Sequence, residues 1–461
     1  MTLELQTASP GKSSFAVPRL QLLAAVALFV LCFQWIYLHY LYPVFGYFGY
    51  DYSPPATTQL FLAWFLALLP SLWMPLQLKR PSQLAYWILY LMVLIPSMFV
   101  PMYAGLNPSS EITVLMLVLA LGFSIAGSSY LFPLFTLQPP KISLRSFWKG
   151  FALLAGLLVL WLVAVFHGNM HLVSFDDIYD LRQAASDTAG DSSANYSYMW
   201  LSGAINPFLM GWGLYHKRRW IFFLGALGQV LVYSVLATKS SLFSIIFLLG
   251  FYFLFKIRRA PFAFNFSLAA LLVLGGMSCA YWLTGENPGL LQLILLAIVV
   301  QRTISSAGLA TAQYYDFFQR NPLTHLASVK GVSWFVHYPY KYSVGQEIGL
   351  AYAGTTDLDA TAHFWATDGL EAFGLPGILF ISVLCALLFW VLDSASQNHD
   401  VHLTALLISF AALNLANASI FTSLLSGGLA LLMLLIYCLP TTACDSPAWQ
   451  PASSPLSGGA W

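Results

Sequence analysis

Residues Gln21–Pro43 read QLLAAVALFVLCFQWIYLHYLYP, a run without Asp, Glu, Lys or Arg. A helix of about 20 apolar residues spans the hydrocarbon core of a bilayer while satisfying its own backbone hydrogen bonds. The run is too long for the core of a cleaved leader and lacks a small-x-small cleavage site, so it reads as a retained first span. Comparable tracts follow at 58–78, 84–104, 112–137, 147–167, 198–215, 219–238, 241–255, 263–284, 367–392, 402–419 and 421–439. The expectation is an all-α polytopic membrane protein with about 12 transmembrane helices, forming a single integral membrane domain over 1–461. A shorter apolar segment, GLLQLILLAIVVQ at 289–301, is expected to lie along the interface or re-enter.

Composition agrees. Of 461 residues, 59% are hydrophobic and 8% charged, against about 25% charged in soluble proteins, too few to coat a globular surface. The net charge of +1 points to no nucleic-acid partner. Aromatics make up 16%, which suits interface belts and sugar-facing surfaces. Four of the five cysteines (Cys32, Cys279, Cys385, Cys438) lie in apolar tracts with no CxxC or metal spacing, so they read as small buried hydrophobes rather than disulfides or ligands.

The loops give the orientation. With the N-terminus inside, Lys12, Arg19, Lys79, Arg80, Lys141, Arg145, Lys149, Lys217, Arg218, Arg219, Lys256, Arg258 and Arg259 all fall in the cytoplasm. Arg182, Lys239, Arg302, Arg320, Lys330 and Lys341 remain outside. This sorting follows the positive-inside rule, and an even number of spans returns the C-terminus inside. Two long hydrophilic loops then face outward, 168–197 and 285–366, and loops of that length are usually functional. Residues 441–461, rich in Ser, Pro and Gly, read as a disordered cytoplasmic tail. No charge stands in the middle of a span, which weighs against an ion-coupled transporter.

The outer loops hold the residues that could carry chemistry. Arg182 lies among Asp176, Asp177, Asp180, Asp187 and Asp191, and reads as an ion-pair partner or an anion ligand. Arg302 closes an apolar stretch in QRTISS, and Arg320 lies deeper in the second loop. Lys239 sits in the hairpin ATKSSLF, where it either snorkels or helps form an anion site. Tyr314, Tyr315, Trp334, Tyr338 and Tyr340 are packing residues or sugar-stacking surfaces. In DLDATAHFWATDGLEAFGLPG, a histidine or carboxylate among Asp357, Asp359, His363, Asp368 and Glu371 could accept a proton from a hydroxyl, with His363, Asp357 and Asp359 the leading candidates; surface solvation and N-capping by Asp368 are the alternative. Gly374, Pro376 and Gly377 mark a break within the following span. Walker A, GxGxxG, HExxH and GxSxG motifs are absent.

In this order and topology, FDDIYDLRQAASDTAGDSSANYSYMW, GWGLYHKRRW, ATKSSLFSIIFLLGFYFLF, QRTISSAGLATAQYYDFF, VGQEIG and DATAHFWATDGLEAFGLPG resemble the Wzy-type O-antigen polymerases, the bacterial polysaccharide repeat-unit polymerases. The resemblance implies a GT-C-like fold with two large periplasmic loops in a bacterial inner membrane. It also implies a metal- and cofactor-independent glycosyltransferase acting on undecaprenyl-pyrophosphate-linked glycans as donor and acceptor. A chain-length regulator would be a protein partner, with membrane lipid around the spans. Arg182, Arg302, Arg320 and Lys239 are then candidates for the pyrophosphate. His363, Asp357 and Asp359 are candidates for the acceptor hydroxyl, and the five loop aromatics for sugars. A ligase moving glycan to lipid A core and a transporter of lipid-linked sugars are the competing expectations.

Overall fold

The computed structural model describes residues 13–170, 194–236, 238–257, 259–285, 288–357, 359–360 and 363–441. Among them the regular elements are helices and no strand occurs. Nine helices among the described residues are long and apolar enough to cross a membrane, the architecture of a multi-pass membrane protein. In chain order the helices used below are α1 (Ser13–Ile36), α2 (Thr57–Trp73), α3 (Pro81–Ala104), α4 (Ser109–Gly127), α5 (Leu144–Phe166) and α6 (Asn206–Tyr215). They continue with α7 (Arg219–Leu236), α8 (Lys239–Lys256), α9 (Phe262–Thr284), α10 (Leu290–Arg320) and α11 (Val344–Ala353). The last four are α12 (Trp365–Ser396), α13 (Val401–Leu415), α14 (Ile420–Leu424) and α15 (Leu429–Cys438).

The bundle has two distinguishable ends. At one, Arg19 donates to the carbonyls of Ser71 (2.8 Å) and Met74 (2.7 Å), and Arg80 to those of Ser129 (3.2 Å) and Phe132 (2.9 Å). The Ala263 N–H bonds the Leu76 carbonyl there at 3.0 Å. These contacts gather the starts of α1, α3 and α9 with the ends of α2 and α4, and we call this the basic end. At the opposite end the Gln34 amide donates to the Tyr103 hydroxyl (2.6 Å), and the Tyr37 hydroxyl to the Asp51 carbonyl (2.6 Å).

Four helical runs contain wide π turns, at Tyr37–Leu41, Tyr90–Leu94, Leu201–Ile205 and Ala297–Ser305. In the last, the Thr303 hydroxyl reaches back five residues to the Ile298 carbonyl at 2.7 Å. Such turns are rare and frequent at functional sites.

The break expected around Gly374 is a reversal. Gly374 has φ +66°, in the left-handed region, and Phe373 has φ −143°, so the helical path stops and turns back. A Cβ on Gly369 would collide with the Gly377 backbone, and one on Gly377 with that of Gly369. Trp365 and Ser382, 17 positions apart, both lie against Gly122 of α4; in a straight helix they would be ~25 Å apart. α12 is therefore a hairpin, with a short limb 365–372 folded against a long limb that runs to the basic end, where Asp393 meets Arg80 at 3.9 Å.

The stretch read as the second outer loop contains α10, 31 residues long and apolar enough to cross a membrane. Its contacts, however, tether both of its ends to the same side. Gln292 donates to the Thr284 hydroxyl (3.1 Å) at the end of α9, and the Tyr315 hydroxyl to the Glu111 carbonyl (3.4 Å) at the start of α4. Between these ends α10 packs on the half of α3 that leads to the opposite end, with Ser97 of α3 against Thr311 (3.2 Å) and the Pro96 backbone against Gly308.

Buried acids lie toward helix ends rather than at mid-span: Asp316, Asp368, Glu371 and Asp393 are 4%, 1%, 5% and 1% exposed, and the reversal of α12 turns Asp368 and Glu371 inward.

Candidate functional site

The cluster begins where α11 supplies a seat. Ser343 caps this helix, its hydroxyl accepting the Gln346 N–H at 3.3 Å. At Gly345 a Cβ would strike the Asp359 carboxyl, and the Gly345 carbonyl accepts the Ala360 N–H at 3.0 Å. Only a residue without a side chain lets 359–360 lie so close. From the other side, the Tyr314 hydroxyl of α10 donates to the Ala360 carbonyl at 3.3 Å.

Tyr314, 1% exposed, stacks on His363 with ring centroids 5.3 Å apart and planes 19° from parallel. The His363 Nδ1 lies 3.3 Å from Asp368 Oδ1, an ion-pair contact too far off line for a hydrogen bond. Asp368 Oδ2 accepts the Ile420 N–H at 2.7 Å, so the carboxylate caps α14, a helix from the far end of the chain. The Glu371 carboxylate accepts the Ser328 hydroxyl at 2.6 Å.

The short limb of α12 ends without successors for its last carbonyls, and such groups need partners. Residues after α10 supply them: the Glu371 carbonyl accepts the Thr324 N–H (2.8 Å) and hydroxyl (3.1 Å), and the Ala372 carbonyl accepts the His325 N–H (3.3 Å). His325 and Leu326 hold φ of +50° and +64°. Left-handed backbone at non-glycine residues costs ~1–2 kcal/mol each and concentrates at functional sites.

Electrostatically the cluster joins three carboxylates, a histidine and an arginine. His363 faces Asp368, Glu371 and Asp359, with Tyr314 stacked on its ring. Burial opposes its charge, but the three acids outweigh that and hold the imidazole above its ordinary 6.5. Although Asp359 is exposed as a residue, its carboxyl tucks over Gly345. This partial burial raises it above the ordinary 3.8, against the pull of His363 and of Arg302. Among the described residues no three Asp, Glu, His or Cys side chains converge to hold a metal ion. With Nδ1 turned to Asp368, the second ring nitrogen of His363 is left to take a proton.

The sequence candidates are placed as follows. His363, Asp359, Arg302 and Tyr314 are brought together. The Tyr338 hydroxyl donates to the Tyr342 carbonyl (2.8 Å); Tyr338 and Tyr340 pack on each other, and both sense Glu371. Burial first, then Glu347 and Glu371, push the Tyr340 phenol up to about 12. Asp357 is exposed, its N–H turned to the Thr355 hydroxyl at 3.1 Å, and stands apart. Tyr315 is committed to Glu111, and Trp334 is 84% exposed. Arg320 forms a separate group, 2.5 Å from Asp316, whose other oxygen accepts the Tyr352 hydroxyl at 2.5 Å. Lys239 opens α8 beside Thr238 and Ser241, whose hydroxyls are 2.8 Å apart. Arg182 lies outside the described residues. Sequence reasoning does not place Ser328, Gly345 or Ile420 at the site; Asp368 and Glu371 belong to the expected acid cluster, and Asp368 caps α14 rather than its own helix. A polar residue beside a glycine-rich break was the available signal.

No protein-family model, no curated protein and no solved structure matches this chain.

Proposed function

We propose that the chain polymerises undecaprenyl-pyrophosphate-linked oligosaccharide repeat units into O-antigen or a related surface polysaccharide. In this reading it is a GT-C-like enzyme of about 12 spans in a bacterial inner membrane. Both termini are cytoplasmic, the basic end faces the cytoplasm, and the two large loops and the site face the periplasm. The observation that supports it best is the His363–Asp368 pair, enclosed by Tyr314 and set beside Asp359 and Arg302.

The chemistry needs an acceptor hydroxyl to attack the anomeric carbon while the bond from that carbon to pyrophosphate breaks. The hydroxyl proton passes to His363, and the polyprenyl pyrophosphate leaves with the bonding electrons. Carboxylates outnumber cations around His363, so this part of the site suits the acceptor. The pyrophosphate belongs toward Arg302 and Arg182, whose planar forks meet phosphate oxygens in pairs. Tyr338 and Tyr340 offer faces to sugar rings.

Purified protein in lipid, given a synthetic lipid-linked repeat unit, is expected to give a ladder of increasing chain length that His363→Ala abolishes. A full ladder from well-folded His363→Ala protein overturns the assignment of His363. Product formed only when lipid A core is supplied favours a ligase.

A second reading, ion-coupled transport of lipid-linked sugars, draws on the buried carboxylates of an interrupted helix. It requires proton-driven movement of the lipid-linked sugar across sealed vesicles with no change in its length.

A further inference from the structure

We propose that Asp368 is the positioning residue of this site. One carboxylate oxygen holds His363 through Nδ1, the other holds the Ile420 N–H, and His363 thereby presents Nε2 to the reacting hydroxyl. The inference rests on the reading of His363 as proton acceptor.

Asp368 is 1% exposed, and a buried carboxylate is costly unless paired. Its ion-pair partner is His363, five positions earlier, at 3.3 Å. Its hydrogen-bond donor is Ile420, 52 positions later, at 2.7 Å. A first-turn aspartate commonly serves its own helix. Here that task falls to Thr367, whose hydroxyl oxygen accepts the Phe364 N–H at 2.9 Å. The Asp368 side chain is thus free to join two distant segments. A carboxylate oxygen 3.3 Å from Nδ1 repels a lone pair there and attracts an N–H, so its charge favours the histidine tautomer with the proton on Nδ1 and the lone pair on Nε2. The other groups facing the ring are Glu371, Asp359 and Tyr314. None of these is tied to a second helix through the same two oxygens.

Asp368→Asn separates charge from shape. To keep the bond from Ile420, the amide must turn its oxygen there and its NH₂ toward His363. Nδ1 then becomes an acceptor and the proton moves to Nε2, which can no longer act as base. Ile420→Pro removes the other partner, together with a buried side chain, and leaves the Asp368 charge in place; Ile420 is the first residue of its helix, where proline is tolerated.

The test uses the full chain in lipid nanodiscs. Ring-nitrogen NMR of histidine-labelled protein, with the His363 signal identified by its loss in His363→Gln, reads the tautomer. Polymerisation of a synthetic lipid-linked repeat unit gives kcat and KM. Asp368→Asn is expected to switch the tautomer and lower kcat about 10²–10⁴-fold, the usual worth of a placed base, with KM little changed. Ile420→Pro is expected to leave the tautomer as in the native protein. An unchanged tautomer and kcat in folded Asp368→Asn overturns the proposal. If Asp368→Asn fails to fold, Asp368→Glu takes its place: it keeps the charge and moves it by one methylene. A lowered kcat with the native tautomer then supports the proposal, and an unchanged kcat overturns it. A tautomer switch in Asp368→Asn, in protein that forms no polymer, retains the pairing and rejects the polymerase reading instead.

Discussion

Asp393, near the end of α12, caps α3 from outside: its Oδ1 accepts the Ser82 N–H at 3.0 Å and its Oδ2 the Ser82 hydroxyl at 2.7 Å. Pro81 has no N–H, so the next donor of the first turn is Ser82, and it has no partner within its own helix. Asp393→Ala orphans two donors in a buried place and should cost about 1–3 kcal/mol. The expected result is a lower melting temperature in detergent. Asp393→Asn retains an acceptor oxygen and should lose less.

The reversal of α12 predicts a strict size limit. Gly369→Ala and Gly377→Ala each place a methyl group in the other's backbone. Overpacking of this kind costs roughly 1–3 kcal/mol. Both should reduce thermal stability, and both should reduce activity because Asp368 and Glu371 ride on the displaced limb. Gly250→Ala, at a position within α8 open to its surroundings, is the control expected to leave activity unchanged and not to lower stability.

Two groups outside the spans set a pH response of one sign. The folded values of Asp359 and His363 both lie above their ordinary values of 3.8 and 6.5. In each case the folded form binds a proton more readily than the unfolded one, so stability falls as pH rises through the window above each ordinary value. Hydrogen exchange at residues 354–357, 359–360 and 363–364, corrected for intrinsic rate, should therefore quicken toward alkaline pH. Asp359→Asn should flatten the acidic part of the response and His363→Gln the neutral part.

Arg320 separates structural from substrate effects. Its side chain is 68% exposed, but that of its partner Asp316 is 6% exposed. Arg320→Ala leaves the buried carboxylate without this cation and should cost about 1–3 kcal/mol, whereas Arg320→Lys keeps the charge, so loss of polymer in Arg320→Lys at an unchanged melting temperature reports contact with substrate. Tyr352→Phe removes a donor from the buried Asp316 carboxylate and should destabilise by about 1 kcal/mol or more.

Helices and their spacing were legible because long apolar runs carry a strong signal, and the sorting of Arg19 and Arg80 to one end matches their contacts. The break at Gly374 was legible as well, from its glycines and proline. Its reversal was not, because hydropathy has no direction: the Gly369–Gly377 approach exists only in three dimensions. At the site, His363, Asp359 and Arg302 stood out as titratable groups in polar loops. Ser328, Gly345 and Ile420 did not, since each matters through a partner brought near by packing. Tyr50 and Ser305 illustrate the distance involved, their hydroxyls lying 2.9 Å apart across 255 positions.

The π turns have a consequence for how this chain tolerates change in length. A π turn closes i→i+5 rather than i→i+4 hydrogen bonds, so each behaves as a helix holding one surplus residue. Deleting one residue within Tyr90–Leu94 lets that turn relax to ordinary α geometry, and the flanking halves of α3 keep their faces. The same deletion elsewhere in α3 would rotate everything beyond it by ~100°. The bundle thus carries slack at a few defined points, and Ala297–Ser305, which holds Arg302, is one of them.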